Sequence, residues 1–149
     1  MYDADTEESG FVYQLDGALA NGDVLVIATD QATFQSDIQL SYPSVCHFNG
    51  DDAVGLFNNN SLIDAVGNPS EDPGSGWAVA GIDNGTGEHT LIRKSSITEG
   101  NIDWASSAGS SANDSEWFVE DQNYFLNIGF HVFGDTGENL GPAANAGQN

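Results

Sequence analysis

The chain alternates short apolar runs with stretches of glycine, asparagine, serine and aspartate. Short β-prone runs bounded by such turn formers are typical of strands, and no long amphipathic helical period interrupts them. The predicted strands are residues 11–15, 24–28, 53–57, 61–66, 77–82, 89–93, 117–119 and 130–133. Many short strands with polar loops between them predict an all-β chain folded as an antiparallel β-sandwich.

Three segments carry more specific local predictions. Residues 24–28 form a continuous apolar run, which is typical of a strand buried on both faces. Residues 53–57 and 61–66 are joined by three asparagines, which tolerate positive φ, so the two runs are predicted to form a hairpin. Residues 106–115 contain only small and polar side chains and are predicted to be a loop.

The chain of 149 residues is long enough for one packed domain and too short for two ordinary ones. We predict an acidic N-terminal arm at residues 1–10, one β-sandwich domain at residues 11–133, and a flexible tail or linker at residues 134–149. The first residues lack the basic and apolar pattern of a signal peptide, so an exported protein would have lost its signal or carry it upstream.

Charge excludes several classes of partner. Two cations, the adjacent Arg93 and Lys94, stand against 23 aspartates and glutamates, which gives a formal net charge of −21. Direct nucleic-acid binding is excluded because phosphate neutralisation needs several cations. No apolar run reaches the length of a membrane span. Dispersed acids with almost no lysine are typical of a surface kept hydrated in salty surroundings, so we predict a protein from marine or otherwise salty surroundings.

Strong catalytic and cofactor motifs are absent, which predicts that the chain is not an enzyme. Cys46, the only cysteine, has no partner for a disulfide or a zinc knuckle and is predicted to be a buried small hydrophobe. The three histidines, His47, His89 and His131, fall in separate segments, so a shared metal site is disfavoured.

Calcium is the candidate cofactor, because its ligands are carboxylate and carbonyl oxygens. Asp3, Asp5 and Glu7 alternate, and in an extended chain they share one face. This pattern does not match the helix-loop-helix calcium loop, which needs glycine where Glu8 stands. Weaker candidates are the pair Asp51 and Asp52 and the pair Asp135 and Glu138.

Aromatic residues offer a second type of binding site. Trp77, which a loop rich in glycine and proline precedes, and Tyr42 are the candidate residues for stacking on a sugar ring. Trp104 and Trp117 have apolar neighbours in sequence and are predicted to pack in the core.

Several motifs resemble the bacterial lamin tail domain. The turn and strand at residues 48–57, the return through residues 62–67, and the Asp72-Pro73-Gly74 turn are similar to that family. Further similar segments are residues 19–28, 90–94 and 101–104. The resemblance spans roughly residues 11–133, and the family's usual first strand has no counterpart before Phe11.

The resemblance implies an immunoglobulin-like β-sandwich that serves as a non-catalytic accessory module of exported proteins, often beside a nuclease or phosphatase domain. Within that fold it implies that Trp104 lies in the core and that Arg93 either snorkels or pairs with a nearby acid. A missing first strand would leave an open sheet edge through which copies of the chain could associate.

The sequence leaves three functions to compare. The first is a secreted module that binds a protein or polysaccharide surface, with loops at residues 67–76 and 106–115 carrying recognition. The second is a calcium-dependent carbohydrate-binding module. The third, least favoured, is an independent hydrolase of an ester or phosphoester.

Overall fold

The computed structural model describes residues 10–134. Its regular elements are β1 Ile27–Thr29, β2 Ile38–Leu40, β3 Val54–Asn58, β4 Ser61–Val66, β5 His89–Arg93, α1 Trp104–Ala108 and β6 Trp117–Asp121. Regular structure is therefore mostly strand, with one short helix, and the all-β prediction is confirmed. The strands pair two by two, β1 with β2, β3 with β4 and β5 with β6. Because these pairs do not join into two continuous sheets, the sandwich arrangement stays a prediction.

The asparagine hairpin is confirmed. β3 and β4 pair antiparallel from Asn58 with Ser61 at the turn to Val54 with Val66 at the base. Asn59 and Asn60 adopt positive φ angles of 47° and 65°, the backbone that a two-residue hairpin turn requires. The turn chemistry alone therefore predicted this element.

The second antiparallel pair lies where the apolar pattern placed it. β5 occupies the predicted residues 89–93, and β6 extends the prediction at 117–119 to Asp121. In its register Arg93 stands opposite Trp117. This pairing brings the long cationic side chain beside the core.

The predicted strand at residues 24–28 is displaced and less buried than expected. β1 starts only at Ile27, and Val24 is 39% exposed. β1 pairs parallel with β2, Ile27 opposite Ile38, which the antiparallel prediction did not anticipate. The Asp37 carboxylate accepts a hydrogen bond from the Val26 backbone N–H at 2.8 Å and so ties the start of β2 to the residue before β1.

Three predicted strands do not form, and residues 77–82 contain only an isolated bridge between Val79 and Ile82. Residues 11–15 and 130–133 adopt no regular structure, although both runs are apolar. A strand needs a partner for its backbone groups, and neither run pairs with another strand in the described structure. Val12, 80% exposed, shows that the first run also lacks a core to pack against.

The predicted loop at residues 106–115 begins as helix α1. Asp103 precedes the helix and its side chain accepts a hydrogen bond from the Ser106 N–H at 3.3 Å. Gly109 ends the helix with a φ of 64°. Both are standard helix-end residues, so the sequence signal was present and was outweighed by the small polar composition.

The core lies between the helix and the two antiparallel pairs. Its buried members are Ala53, Trp77, Val79, Trp104, Ala108 and Trp117. Trp104 stands between the other two tryptophans, with ring centroids 6.3 Å from Trp77 and 6.4 Å from Trp117. Trp104 and Trp117 therefore pack in the core, as predicted.

The predicted arm at residues 1–10 and tail at residues 134–149 lie almost wholly outside the described residues. Among residues 10–134, no helix has the length and apolar character that crossing a bilayer requires.

Candidate functional site

An open groove of about 660 Å³ lies beside β1. Its walls come from β1, from the loop after β1, from the segment between β2 and β3, and from the segment after β6. The residues that line it include Ile27, Phe34, Cys46, Phe48, Asn123 and Phe125. Most of these side chains are apolar, so the groove offers an apolar surface on a strongly acidic chain.

Phenylalanines form the walls of the groove. The rings of Phe34 and Phe125 contact each other with centroids 5.1 Å apart, which joins the loop after β1 to the segment after β6. Phe48 remains 54% exposed and Phe125 44%. Exposed aromatic rings grouped around a concave surface are typical of binding sites.

Cys46 is a half-buried free thiol in this groove. Desolvation raises the pKa of the Cys46 thiol, outweighing a hydrogen bond from Ser44 that lowers it. A thiol with a raised pKa stays protonated near neutral pH and is a poor nucleophile. The prediction that Cys46 is buried is wrong, because the residue is only partly buried.

Tyr42 lies on the same segment as Cys46 and is 74% exposed. Its ring meets the His47 ring edge to face at 4.9 Å, and Nδ1 of His47 lies 3.0 Å from the Ser44 hydroxyl. The Tyr42–Pro43 peptide bond is cis. Tyr42 thus keeps the exposure that its predicted stacking role requires.

Trp77 does not have the predicted exposure. It is 8% exposed, because its ring packs against Trp104 and fills the space beside Gly67. A Cβ atom at Gly67 would lie 2.6 Å from the Trp77 ring. Gly67 in the preceding loop therefore lies against the Trp77 ring, and the predicted exposure of Trp77 is wrong. Its stacking on a sugar stays a prediction, which this burial disfavours.

The core contains an ion-pair cluster around Arg93, which is the second of the two alternatives that the family resemblance implied. Nη1 of Arg93 donates to both Asp64 carboxylate oxygens at 2.9 and 2.8 Å, and Nη2 lies 3.5 Å from Glu116. The guanidinium also lies 4.3 Å from the centroid of the Trp117 ring. Arg93 therefore joins β4, β5 and β6 through one charged group.

Neutral side chains complete this cluster. Glu116 accepts hydrogen bonds from the Asn101 amide at 2.8 Å and from the Ser107 hydroxyl at 2.9 Å. The Ser107 hydroxyl in turn accepts from the indole N–H of Trp117 at 2.9 Å. Both carboxylates of the cluster are bonded within the fold, which favours a structural role over a catalytic one.

The second cation is also held within the fold. Nζ of Lys94 donates to the backbone carbonyls of Ala112 and Ser115, the first at 2.7 Å. Within the described chain both cations thus have internal partners.

The predicted calcium ligands Asp3, Asp5 and Glu7 lie outside the described residues, as do Asp135 and Glu138. Within residues 10–134 no group of three histidine, cysteine, aspartate or glutamate side chains is arranged to hold a metal. Asp52 accepts a long hydrogen bond from the Asn49 N–H at 3.4 Å and so acts in a turn.

The histidines lie in three different environments. His47 contacts Tyr42 and Ser44, whereas Nδ1 of His89 lies 2.7 Å from the Gly87 carbonyl oxygen. His131 stacks edge to face on Phe133. Its pKa is lowered, first by desolvation and then by the charge of Arg93.

Sequence reasoning missed the groove and its phenylalanines. Phe34, Phe48 and Phe125 come from segments far apart in the chain, and no motif marks any of them as a binding residue. The pairing partners of Arg93 were also unknown, since a lone cation among many acids does not identify which acid it meets.

Comparison of the chain with protein-family models, with curated proteins and with solved structures finds no match.

Proposed function

We propose that the chain is a non-catalytic binding module that contacts the surface of another protein through the groove beside β1. The observation that carries this proposal is the groove itself, whose wall residues Phe48 and Phe125 remain exposed. Leaving such aromatic surface in water is unfavourable, at about 25 cal/mol per Å², so covering it with a partner would release free energy.

Charge indicates what kind of partner would fit. The described chain presents many carboxylates, while Arg93 is bonded to Asp64 and Lys94 to backbone carbonyls. A partner with lysine or arginine around an apolar segment complements this surface, whereas an acidic partner would be repelled.

The chemistry of the groove supports binding over catalysis. Cys46 is the candidate nucleophile among the residues that line the groove. Burial raises the pKa of its thiol, which therefore stays protonated near neutral pH. The carboxylates Asp64 and Glu116 are bonded to Arg93 in the core and lie away from the residues that form the groove.

The wider setting in this proposal follows the family resemblance. The chain would be a lamin-tail-like immunoglobulin-type sandwich, exported by a salt-adapted bacterium and attached to a larger protein with a catalytic domain such as a nuclease or phosphatase. The all-β composition is compatible with that arrangement, and the exposed edges of three strand pairs would also allow self-association.

The test uses two groups of variants of the full chain. Phe48→Ser and Phe125→Ser remove groove aromatics, and Leu126→Ser changes a side chain that is 69% exposed and not part of the groove wall. Exported proteins of the producing cell that wild type retains are purified, and the Kd of wild type and of each variant for them is measured. We expect at least tenfold weaker binding for the groove variants and an unchanged Kd for Leu126→Ser. Equal binding by all three variants would disprove the groove as the contact site.

Tyr42 supports a second candidate, the calcium-dependent carbohydrate-binding module. Its ring is 74% exposed and could stack on a sugar, although the loss of Trp77 as a second platform weakens this candidate. Titration of a glycan panel with and without millimolar calcium, using wild type and Tyr42→Ala, tests it. Binding that needs both calcium and Tyr42 supports this function, and no binding on the panel rejects it.

A further inference from the structure

Three asparagines stand in Asn-X-Ser/Thr triplets, the acceptor pattern for N-linked glycans: Asn59 with Ser61, Asn84 with Thr86, and Asn113 with Ser115. An oligosaccharyltransferase must reach both the asparagine amide and the hydroxyl two residues later. The structure therefore distinguishes the three triplets by the environment of these two groups.

The triplet at Asn84 is enclosed. Oδ1 of Asn84 is buried, and the Thr86 hydroxyl donates to the Gly50 carbonyl at 2.6 Å while accepting from the Trp77 N–H at 2.8 Å. Reaching these groups would require the loop over Trp77 to open.

The triplet at Asn113 is only half accessible. Asn113 is exposed, but Ser115 is 4% exposed and its hydroxyl accepts a hydrogen bond from the Trp117 N–H at 3.1 Å. The hydroxyl that the transferring enzyme would recognise is thus held inside the fold.

The triplet at Asn59 is the accessible one. Asn59 and Asn60 form the turn between β3 and β4, and Asn59, Asn60 and Ser61 are all exposed. The side chains of Asn59 and Ser61 make no hydrogen bond within residues 10–134. Both groups that the enzyme needs therefore face solvent at the tip of a hairpin.

We propose that Asn59 is an N-glycan acceptor, and that Asn84 and Asn113 are not modified in the folded chain. The amide Nδ2 of Asn59 would attack the anomeric carbon of an oligosaccharide carried on a lipid phosphate or pyrophosphate. The new C–N bond replaces the C–O bond to phosphate, the lipid phosphate leaves, and the amide loses one proton. This inference rests on the export assumed in the proposed function, because the donor lipid and its enzyme act on exported chains.

A glycan at this position would protect the hairpin. Leu56, Phe57 and Ile63 are 47%, 42% and 43% exposed on a two-stranded sheet. The Ala65 N–H of β4 donates to the Asn101 carbonyl oxygen at 3.2 Å, whereas β3 has no second partner strand within residues 10–134. Exposed apolar strands of this kind pair with other chains. A bulky hydrophilic glycan on Asn59, at the tip of the hairpin, would hinder the approach of another chain to these strands.

The experiment examines protein taken from the producing cell, fractionated into medium and cytoplasm, by intact mass and by sequencing of glycopeptides. Wild type is compared with Asn59→Gln, Ser61→Ala, Ser61→Thr and Asn113→Gln. We expect exported wild type to carry one glycan, on Asn59. It should be lost in Asn59→Gln and Ser61→Ala and kept in Ser61→Thr and Asn113→Gln.

Two results would overturn the proposal, and they differ in what else they reject. Exported protein that is unmodified at Asn59, or modified at Asn84 or Asn113 instead, contradicts the acceptor assignment and leaves the binding module untouched. Unmodified protein found only in the cytoplasm rejects both the acceptor and the exported module.

Discussion

Two regions of this chain differ in the burial of their apolar side chains. The core region, residues 53–121, contains seven of the eight buried hydrophobic residues, and the groove region, residues 10–48 and 123–134, contains only Ala28. Of sixteen exposed large hydrophobic residues, eleven belong to the groove region. The fold is therefore stabilised mainly by the core region, while the groove region leaves apolar surface available for contact.

The difference has a cause in how the strands pair. The core region contains two antiparallel pairs, one of which places Arg93 opposite Trp117, and the Trp104 ring contacts both Trp77 and Trp117. The groove region contains one short parallel pair, and the apolar runs at its ends find no partner strand among residues 10–134. Substitutions in the core region should thus reduce stability, and those in the groove region should affect binding.

Trp104→Ala is expected to have the largest effect. Trp104 is 6% exposed and contacts both other core tryptophans, so its removal leaves a cavity in the centre of the core region. We expect a loss of about 3–5 kcal/mol in the free energy of unfolding, measured by urea denaturation followed by fluorescence.

The matched control is Ile102→Ala, a nearby large apolar residue that is 58% exposed. Ile102→Ala should lower the free energy of unfolding by no more than about 0.5 kcal/mol. Equal losses for the two variants would show that the tryptophan cluster does not dominate stability.

Asp64→Ala should have the next largest effect, because it breaks the Arg93 pair and leaves a mostly buried guanidinium with one fewer acceptor. Breaking a fully buried pair costs roughly 3–5 kcal/mol. Asp64 is 30% exposed, which reduces our expectation to about 2–3 kcal/mol since solvent screens part of the interaction.

Asp83→Ala is the control for charge, since Asp83 is exposed and removing it changes the net charge equally. We expect it to change the unfolding free energy by less than about 0.5 kcal/mol. If Asp83→Ala were as damaging as Asp64→Ala, the cluster around Arg93 would have no special role.

How far the sequence predicted the structure also differs between the regions. Local signals were sufficient to predict the hairpin, whose turn places Asn59 and Asn60 at positive φ, and to predict β5. In the groove region the run at residues 11–15 is more apolar than β5 but forms no strand. Pairing depends on residues distant in sequence, and a single sequence does not reveal them.

Site prediction failed for a related reason. The glycine- and proline-rich flank of Trp77 predicts exposure, yet the ring packs against Trp104 and Gly67 lets the chain approach it closely. Composition describes the loop but not where the loop lies. The groove phenylalanines are brought together only by the tertiary fold.

Gly67→Ala tests this close approach directly. Gly67 has a φ of +83°, and an added Cβ would lie 2.6 Å from the Trp77 ring, a core side chain with little freedom to move. Gly17→Ala is the matched control, with a φ of +91° and nothing within 4 Å. In both variants an alanine must adopt a positive φ, which costs about 1 kcal/mol.

The difference between the two variants isolates the steric contact. We expect Gly67→Ala to lower the unfolding free energy by about 1–3 kcal/mol more than Gly17→Ala, as overpacking does in well-packed cores. This difference in unfolding free energy is measured by thermal or urea unfolding of the two variants. A difference near zero would mean that the Trp77 ring moves aside at no cost.

The smallest expected effect on stability concerns His131. This residue belongs to the groove region but interacts electrostatically with Arg93 in the core region. Its pKa is lowered from 6.5 in the folded chain, first by desolvation and second by Arg93. The unfolded chain therefore binds a proton before the folded chain does. Its contribution to stability is full above about pH 6.5 and is lost as pH falls through the lower folded pKa.

Replacing His131 with asparagine removes this dependence. The stability of wild type should fall more between pH 7 and pH 5.5 than that of His131→Asn, when both are measured by urea unfolding at matched ionic strength. The many carboxylates titrate in both proteins, so their effect cancels in the difference. Parallel pH profiles would mean that His131 ionises as freely in the folded chain as in the unfolded one, and that the two regions are not electrostatically coupled at this residue.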